Sequence, residues 1–246
     1  MIGLIVQARM GSSRLPGKVM KKVRDKPLLY YSINQLKQCK TISKLIIATT
    51  TFKEDDIISD FVKSQNVSVF RGDAFDVLER FYNCAKKFQL KIIVKISADS
   101  PLIDYNIVDR CVTEFLKNQF DYLSNTIKKI NDVWKETYAR FPLGYAVEVF
   151  TFEALERAWI EGRKPSDREH VTEYIWHNPQ IFRLGNVENL KDDSRFRLVV
   201  DYKEDFELVK TIIENFPKEE IFTLEKVVKH LEDKDLTWKL NSNLQK

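Results

Sequence analysis

Three cysteines, no long apolar run and almost no surplus of charge mark this chain of 246 residues. Cys39, Cys84 and Cys111 form no Cys-x-x-Cys pair, which argues against zinc and against a disulfide framework and leaves reduced thiols in or near a core. The N-terminal apolar run, Ile2 to Val6, is interrupted by Gly3. It is too short for the core of a signal peptide and far too short to span a bilayer, so a cytoplasmic protein with no membrane partner is expected. Forty Lys and Arg face 36 Asp and Glu, a net charge of +4, too little to argue for nucleic acid on bulk electrostatics. Any anion site must come from local clustering. There is no internal repeat and no low-complexity linker, so one α/β domain over 1–246 is expected.

What is present is an ordinary globular composition, 43% hydrophobic and 31% charged, sufficient for a real core. The first half alternates short β-branched runs, "IGLIV" (2–6), "KLIIATT" (44–50), "VSVF" (67–70) and "KIIVKIS" (91–97), with segments whose apolar residues recur every three or four positions. The former read as strands and the latter as helices. Pro27, and Asp73 before Ala74, are helix starts, and Asp104 caps a helix over 104–118. Strand–helix alternation predicts a parallel sheet covered on both faces. Further strands are expected at 120–126, 143–150 and 196–201, and helices at 151–161, 167–177, 203–215 and 223–232. Strict alternation fails in this second half, so antiparallel pairing and a mixed sheet are expected. The stretch 127–141 has mixed charge and no clear period and reads as an excursion or lid.

Ligands of open α/β sheets bind beyond the carboxyl ends of the strands, so the residues after each strand carry the functional reading. After the first comes "QARMGSSRLPGK" (7–18). Successive backbone N–H groups in a Gly/Ser loop can form an anion-binding concavity, to which Arg14 adds a bidentate fork and Lys18 a compact charge; the alternative is a solvated surface loop. It is not a P-loop: Gly11 and Gly17 are one residue too far apart, and Val19 stands where a metal-binding hydroxyl would be. After the fourth comes "SADSPLID" (97–104), which puts Asp99 just past a strand end. After the late run comes "VVDYKEDF" (199–206), which does the same for Asp201. Two carboxylates facing one point, with substrate phosphates, suit Mg²⁺. Either aspartate could instead only cap a turn or helix.

Together "ARMGSSRLPGK", "FRGDAFDVLERF", "SADSPLID", "GYAVEVF", "REHVTEYIWHNP" and "VVDYKEDFELV" resemble, in their order, cytidylyltransferases of the spore-coat-polysaccharide type, relatives of the CMP-sugar synthetases. The resemblance covers roughly residues 2–215. It implies a three-layer αβα, Rossmann-like nucleotidyltransferase fold with a mixed, mostly parallel sheet, and a dimerisation segment near 127–180 in a homodimer. It implies transfer of CMP from CTP to an acidic sugar or similar acceptor, with Mg²⁺ and release of pyrophosphate. Carried over by position, Ala8, Arg9, Gly11, Ser12, Arg14 and Lys18 belong to the nucleotide loop, and Arg71, Gly72 and Asp76 to the nucleobase side. Asp99 and Asp201 match the metal-binding aspartates, with Arg14, Lys18 and Asp99 carrying the catalysis. Arg140, Glu148, Arg168, Glu169 and His170 fall on the acceptor side, where Arg168 or Arg140 would hold a carboxylate. The chain departs from the pattern in reading "SAD" for "TGD" and "GYAVEVF" for "GLDVEVF". Ala146 in place of an Asp bears on the acceptor more than on the nucleotide.

Other residues read more plainly. His170 is a capping or hydrogen-bonding residue, or a general base. Trp134, Trp159, Trp176 and Trp238 fit packing, and the acidic run 54–56 reads as a solvated helix start. Rival functions are a UTP- or GTP-using nucleotidyltransferase of the same fold, a glycosyltransferase of a related sheet, and a non-catalytic nucleotide or RNA binder. The glycosyltransferase needs a DxD motif, and the only Asp-x-Asp is "DKD" (233–235) in the polar tail.

Overall fold

β1 (Ile2–Gln7) opens a seven-stranded sheet whose remaining members are β4 (Lys44–Thr50), β5 (Ser68–Gly72), β6 (Ile92–Ser97), β7 (Tyr122–Ser124), β10 (Glu148–Thr151) and β11 (Leu184–Asn186). The computed structural model describes residues 1–137 and 140–234; Trp238 and the end of the "DKD" run lie outside them. Strand order is β11-β7-β10-β6-β1-β4-β5. β1 pairs parallel with β4 and β6, and β4 with β5, whereas β10 runs antiparallel to both β6 and β7. The expected mixed sheet with antiparallel pairing in the second half is therefore present, and its reversed strand sits between β6 and β7. Two short hairpins stand outside this sheet: β2 (Lys22–Val23) with β3 (Lys26–Pro27), and β8 (Ile127–Ile130) with β9 (Val133–Glu136). The second occupies most of the stretch that showed no period.

Period-two alternation sorts the sheet's side chains into two cores. Leu4 and Val6 of β1 face one core, with Leu28, Leu29 and Ile33 of α1 (Leu28–Leu36), Ile58 and Val62 of α2 (Asp56–Ser64), and Val108, Cys111 and Val112 of α4 (Tyr105–Asn118). Ile5 faces the other, with Val77, Leu78 and Phe81 of α3 (Val77–Lys87) and Ala154, Leu155 and Ala158 of α5 (Phe152–Glu161). α8 (Lys203–Asn215) joins the first core through Leu208, Val209, Ile212 and Ile213, and α9 (Leu224–Asp233) through Val227, Val228 and Leu231. Each such fully buried aliphatic side chain contributes about 1.5–3 kcal/mol. Helices thus cover both faces, which makes the fold three-layered.

Four local readings need correction. α3 starts at Val77, where Asp76 accepts from Glu79 N–H (2.8 Å) as N-cap; Asp73 instead closes the preceding turn, accepting from Phe75 and Asp76 N–H. The helix expected over 167–177 is two short ones, α6 (Pro165–His170) and α7 (Glu173–Trp176), because Val171 between them has φ +69°. The strand expected over 143–150 begins only at Glu148. Among the described residues the run 196–201 joins no strand of the sheet and meets Leu143 only through an isolated parallel bridge at Arg197. It is extended, since Phe196, Leu198 and Val200 alternate into the first core, but its hydrogen bonds go to loops: Leu198 N–H to Leu143 O (2.7 Å) and Val200 N–H to Asp99 O (2.8 Å). The expected Asp104 cap is present, accepting from Asn106 N–H at 2.8 Å.

Candidate active site

The chain leaves β1 for β4 and β5 on one side and returns to β6 on the other, so the crevice past β1 and β6 is a topological switch point. Gln7 and Ser97 end these strands side by side in register. A cavity of about 330 Å³ opens there, lined by Gln7 to Arg9, Ser12 to Arg14, Lys18, Val77, Arg80, Ser97 to Asp99, Glu169, His170 and Asp201, a size that suits a small ligand.

The loop after β1 is folded on itself. Met10 O accepts from Ser12 N–H (2.8 Å) and Gly17 N–H (2.9 Å), and Gly17 takes the left-handed conformation (φ +68°) that turns the chain into the short helical turn at Lys18. Met10 N–H donates to Asp55 Oδ1 (2.7 Å). Asp55 is fully buried, also accepting from Thr50, so the middle of the acidic run 54–56 anchors the loop instead of facing solvent. The N–H groups of Arg9, Gly11, Ser13 and Arg14 have no partner among the described residues, which leaves donors for an anion.

Lys18 is the electrostatic centre. Its Nζ donates to Asp99 Oδ2 (2.9 Å) and Asp201 Oδ1 (2.8 Å). Arg14 reaches the same Asp201 oxygen (2.9 Å) and Arg197 the other (3.1 Å). The bond from Val200 N–H to Asp99 O is what carries Asp201 to Asp99. Asp201 is no helix cap: Asp205, fully buried, accepts from the Asp201 and Tyr202 N–H groups (2.9 Å each) and pairs with Arg197. Burial pushes the Asp201 carboxyl up, but Lys18, with Arg14 and Arg197, outweighs it and holds the group below the usual carboxylate range. The two carboxylates thus converge on one point, at which an ammonium now sits.

The other expected residues divide. Ala8, Arg9, Ser12, Arg14, Lys18, Asp99, Asp201, Glu169 and His170 line the cavity. Gly11 lies in the same loop, beside Glu54. Arg71 does not line it: its guanidinium is held by Thr50 O (2.8 Å), Phe52 O (2.8 Å) and Asp56 (2.5 Å). Gly72 ends β5, where a Cβ would fall 2.8 Å from Arg80 Cγ. Asp76 and Arg168 bind each other, Nε to Oδ2 at 2.8 Å, and Arg168 also donates to Trp159 O (2.9 Å). Glu148 takes Lys95 (2.5 Å), Tyr122 (3.0 Å) and Thr172. Arg140 stands apart, its carbonyl accepting from Asp193 N–H. Neither arginine expected to receive an acceptor carboxylate therefore reaches the cavity.

Sequence reasoning missed Gln7, Asp55, Arg80 and Arg197. Two of them carried a signal. Arg80 interrupts the apolar stripe of α3 at the spacing of Val77 and Cys84, and Arg197 interrupts the apolar run before Asp201. Gln7 and Asp55 acquire their roles only through register and loop packing.

A family model for cytidylyltransferase matches residues 4–236. The chain is 37% identical to an uncharacterised protein of Methanocaldococcus jannaschii over 98% of its own length and 94% of that protein's. It is 32% identical to the spore coat polysaccharide biosynthesis protein SpsF of Bacillus subtilis, covering 85% and 84%. Among solved structures, a cytidylyltransferase from Leptospira borgpetersenii superposes with TM-score 0.87 at 33% identity over 96% of both chains. A CMP:2-keto-3-deoxy-manno-octonic acid synthetase complexed with CTP, 16% identical, shares the fold at TM-score 0.65 over 87% of this chain and 98% of that one. A crevice at the switch point of a mostly parallel sheet, a loop with free N–H donors and two convergent aspartates agree with these matches: the chain belongs to the cytidylyltransferase family.

Proposed function

We propose that the protein transfers CMP from CTP to an oxygen of an acidic sugar or similar acceptor, releasing pyrophosphate, in surface-glycan biosynthesis. The observation that carries this reading is the convergence of Asp99 and Asp201 on Lys18, beside a loop whose N–H groups and Arg14 suit a polyphosphate. Nucleotidyl transfer needs little covalent help from the protein; it needs an acceptor oxygen placed in line with the departing pyrophosphate and charge placed to receive it. The loop donors would hold the triphosphate. Lys18, once released from the aspartates, and Arg14 would take up negative charge on the leaving group.

Two carboxylate oxygens meeting at a point fit Mg²⁺, which takes few protein ligands and fills its shell with water and phosphate oxygens. Asp99 and Asp201 are the residues that would hold such an ion, with phosphate oxygens of the nucleotide and water completing its shell. When bound there it would supply Lewis-acid polarisation of the phosphate.

The test incubates the four nucleoside triphosphates, with Mg²⁺, against a panel of acidic sugars and sugar 1-phosphates, and reads pyrophosphate. Release with CTP and an acidic sugar is expected. Turnover confined to UTP or GTP with a sugar 1-phosphate, or consumption of a nucleotide sugar without pyrophosphate, refutes the reading.

A further inference from the structure

Arg80 is only 3% exposed yet lines the cavity, and its Nε has no hydrogen-bond partner among the described residues. One guanidinium nitrogen is anchored on Asp73 O. The stem lies over Gly72, where a Cβ would sit 2.8 Å from Arg80 Cγ, so the missing side chain makes room for it. A buried cation is costly unless a carboxylate pairs with it. Three carboxylates are close enough to act on Arg80 through their charge, and each is committed elsewhere. Asp55 serves Met10 and Thr50, Asp73 serves the turn before α3, and Asp76 serves Glu79 N–H and Arg168. Instead of a partner anion Arg80 has Arg9, an exposed cavity residue without an ion pair among the described residues. Burial, and then the charge of Arg9, push the Arg80 guanidinium down to about 10. Gln7 Oε1, in the same cavity, is also buried without a partner, and its amide can rotate to present N–H donors.

We propose that Arg80, with Arg9 beside it, is an oxyanion subsite on the α3 side of the cavity, taking either a phosphate of the nucleotide or the carboxylate of the acceptor. This deepens the cytidylyl-transfer reading and rests on it for the two possible sources of the anion. It also supplies a cation inside the cavity, which neither Arg140 nor Arg168 does.

The test titrates the native protein, Arg80→Met and Arg80→Lys calorimetrically with inorganic pyrophosphate, pyruvate as a carboxylate probe, and cytidine as an uncharged control. Loss of one charge-assisted hydrogen bond predicts that Arg80→Met binds one anion about 10–100-fold more weakly, with cytidine unaffected and Arg80→Lys in between. Weakened pyrophosphate identifies the phosphate source, and weakened pyruvate the carboxylate source. A folded Arg80→Met protein that binds both anions as the native one does overturns the proposal. If Arg80→Met does not fold, Arg9→Gln at its exposed position takes its place, and unchanged binding of both anions by that variant overturns it equally. These titrations involve no turnover, so a failed subsite leaves pyrophosphate release from CTP by the native protein standing, and the reverse also holds.

Discussion

Replacing Lys18 by Met keeps most of the side-chain volume and removes only the ammonium that Asp99 and Asp201 share. The three side chains are 11%, 19% and 13% exposed, so water can compensate only in part. Removing one partner of a buried ion pair costs about 3–5 kcal/mol. Arg14 and Arg197 still hold Asp201, which leaves Asp99 as the main uncompensated charge and brings the expected loss to about 2–3 kcal/mol. For a chain of this size that lowers Tm by about 4–12 °C. The assay is thermal unfolding at low salt with a chelator, repeated with millimolar Mg²⁺. The variant should melt below the native protein, and Mg²⁺ should recover part of its loss, because the ion no longer competes with the ammonium for the same two oxygens. The native protein should respond less. If the variant melts with the native protein, or if Mg²⁺ raises both equally, the aspartates do not depend on Lys18.

Two more expectations follow from the segment that carries Asp201. Gly144 has φ +104°, and a Cβ there would lie 2.6 Å from the backbone carbon of Leu198; Gly144→Ala should therefore cost about 2–4 kcal/mol in urea unfolding, and a loss under half a kcal/mol would show that 196–201 does not need this close approach. Asp201 has its folded pKa below its unfolded value, so its stabilisation is present above the ordinary Asp value of about 3.9 and is lost as pH falls through the folded value. Asp201→Asn should flatten the acid limb of stability measured by urea titration, and superimposable limbs would remove Asp201 from the acid response.

Much of the fold is legible as pattern. The β-branched runs at 2–6, 44–50 and 91–97 became the three adjacent strands β1, β4 and β6, because a strand buried on both faces must be apolar throughout. The run at 196–201 looks the same and is not a sheet strand. Its alternation reports burial and extension, and these do not depend on which backbone supplies the hydrogen bonds. The break at Val171 was illegible for a related reason: a positive φ at a β-branched residue is imposed by its surroundings and has no local signature.

The cavity divides along the same line. Its loop, Asp99 and Asp201 stand out in the chain because cations, small residues and strand-end carboxylates placed after apolar runs are local features. The partners those groups take are not local. Lys18 and Asp201 are 183 residues apart in sequence, and they meet because Val200 bonds to the carbonyl of Asp99. Arg71 and Arg168 look as suitable for a ligand as Arg9 does, yet Asp56 and Asp76 already hold them. The sequence by itself determined the strand–helix alternation of the first half, the cluster of cations and small residues in the loop after β1 and the presence of two strand-end carboxylates, since each is set by residue type and short spacing. Only the tertiary structure decided which cations are already paired and which face the cavity, because a charge is neutralised by whatever the fold places within a few ångströms of it.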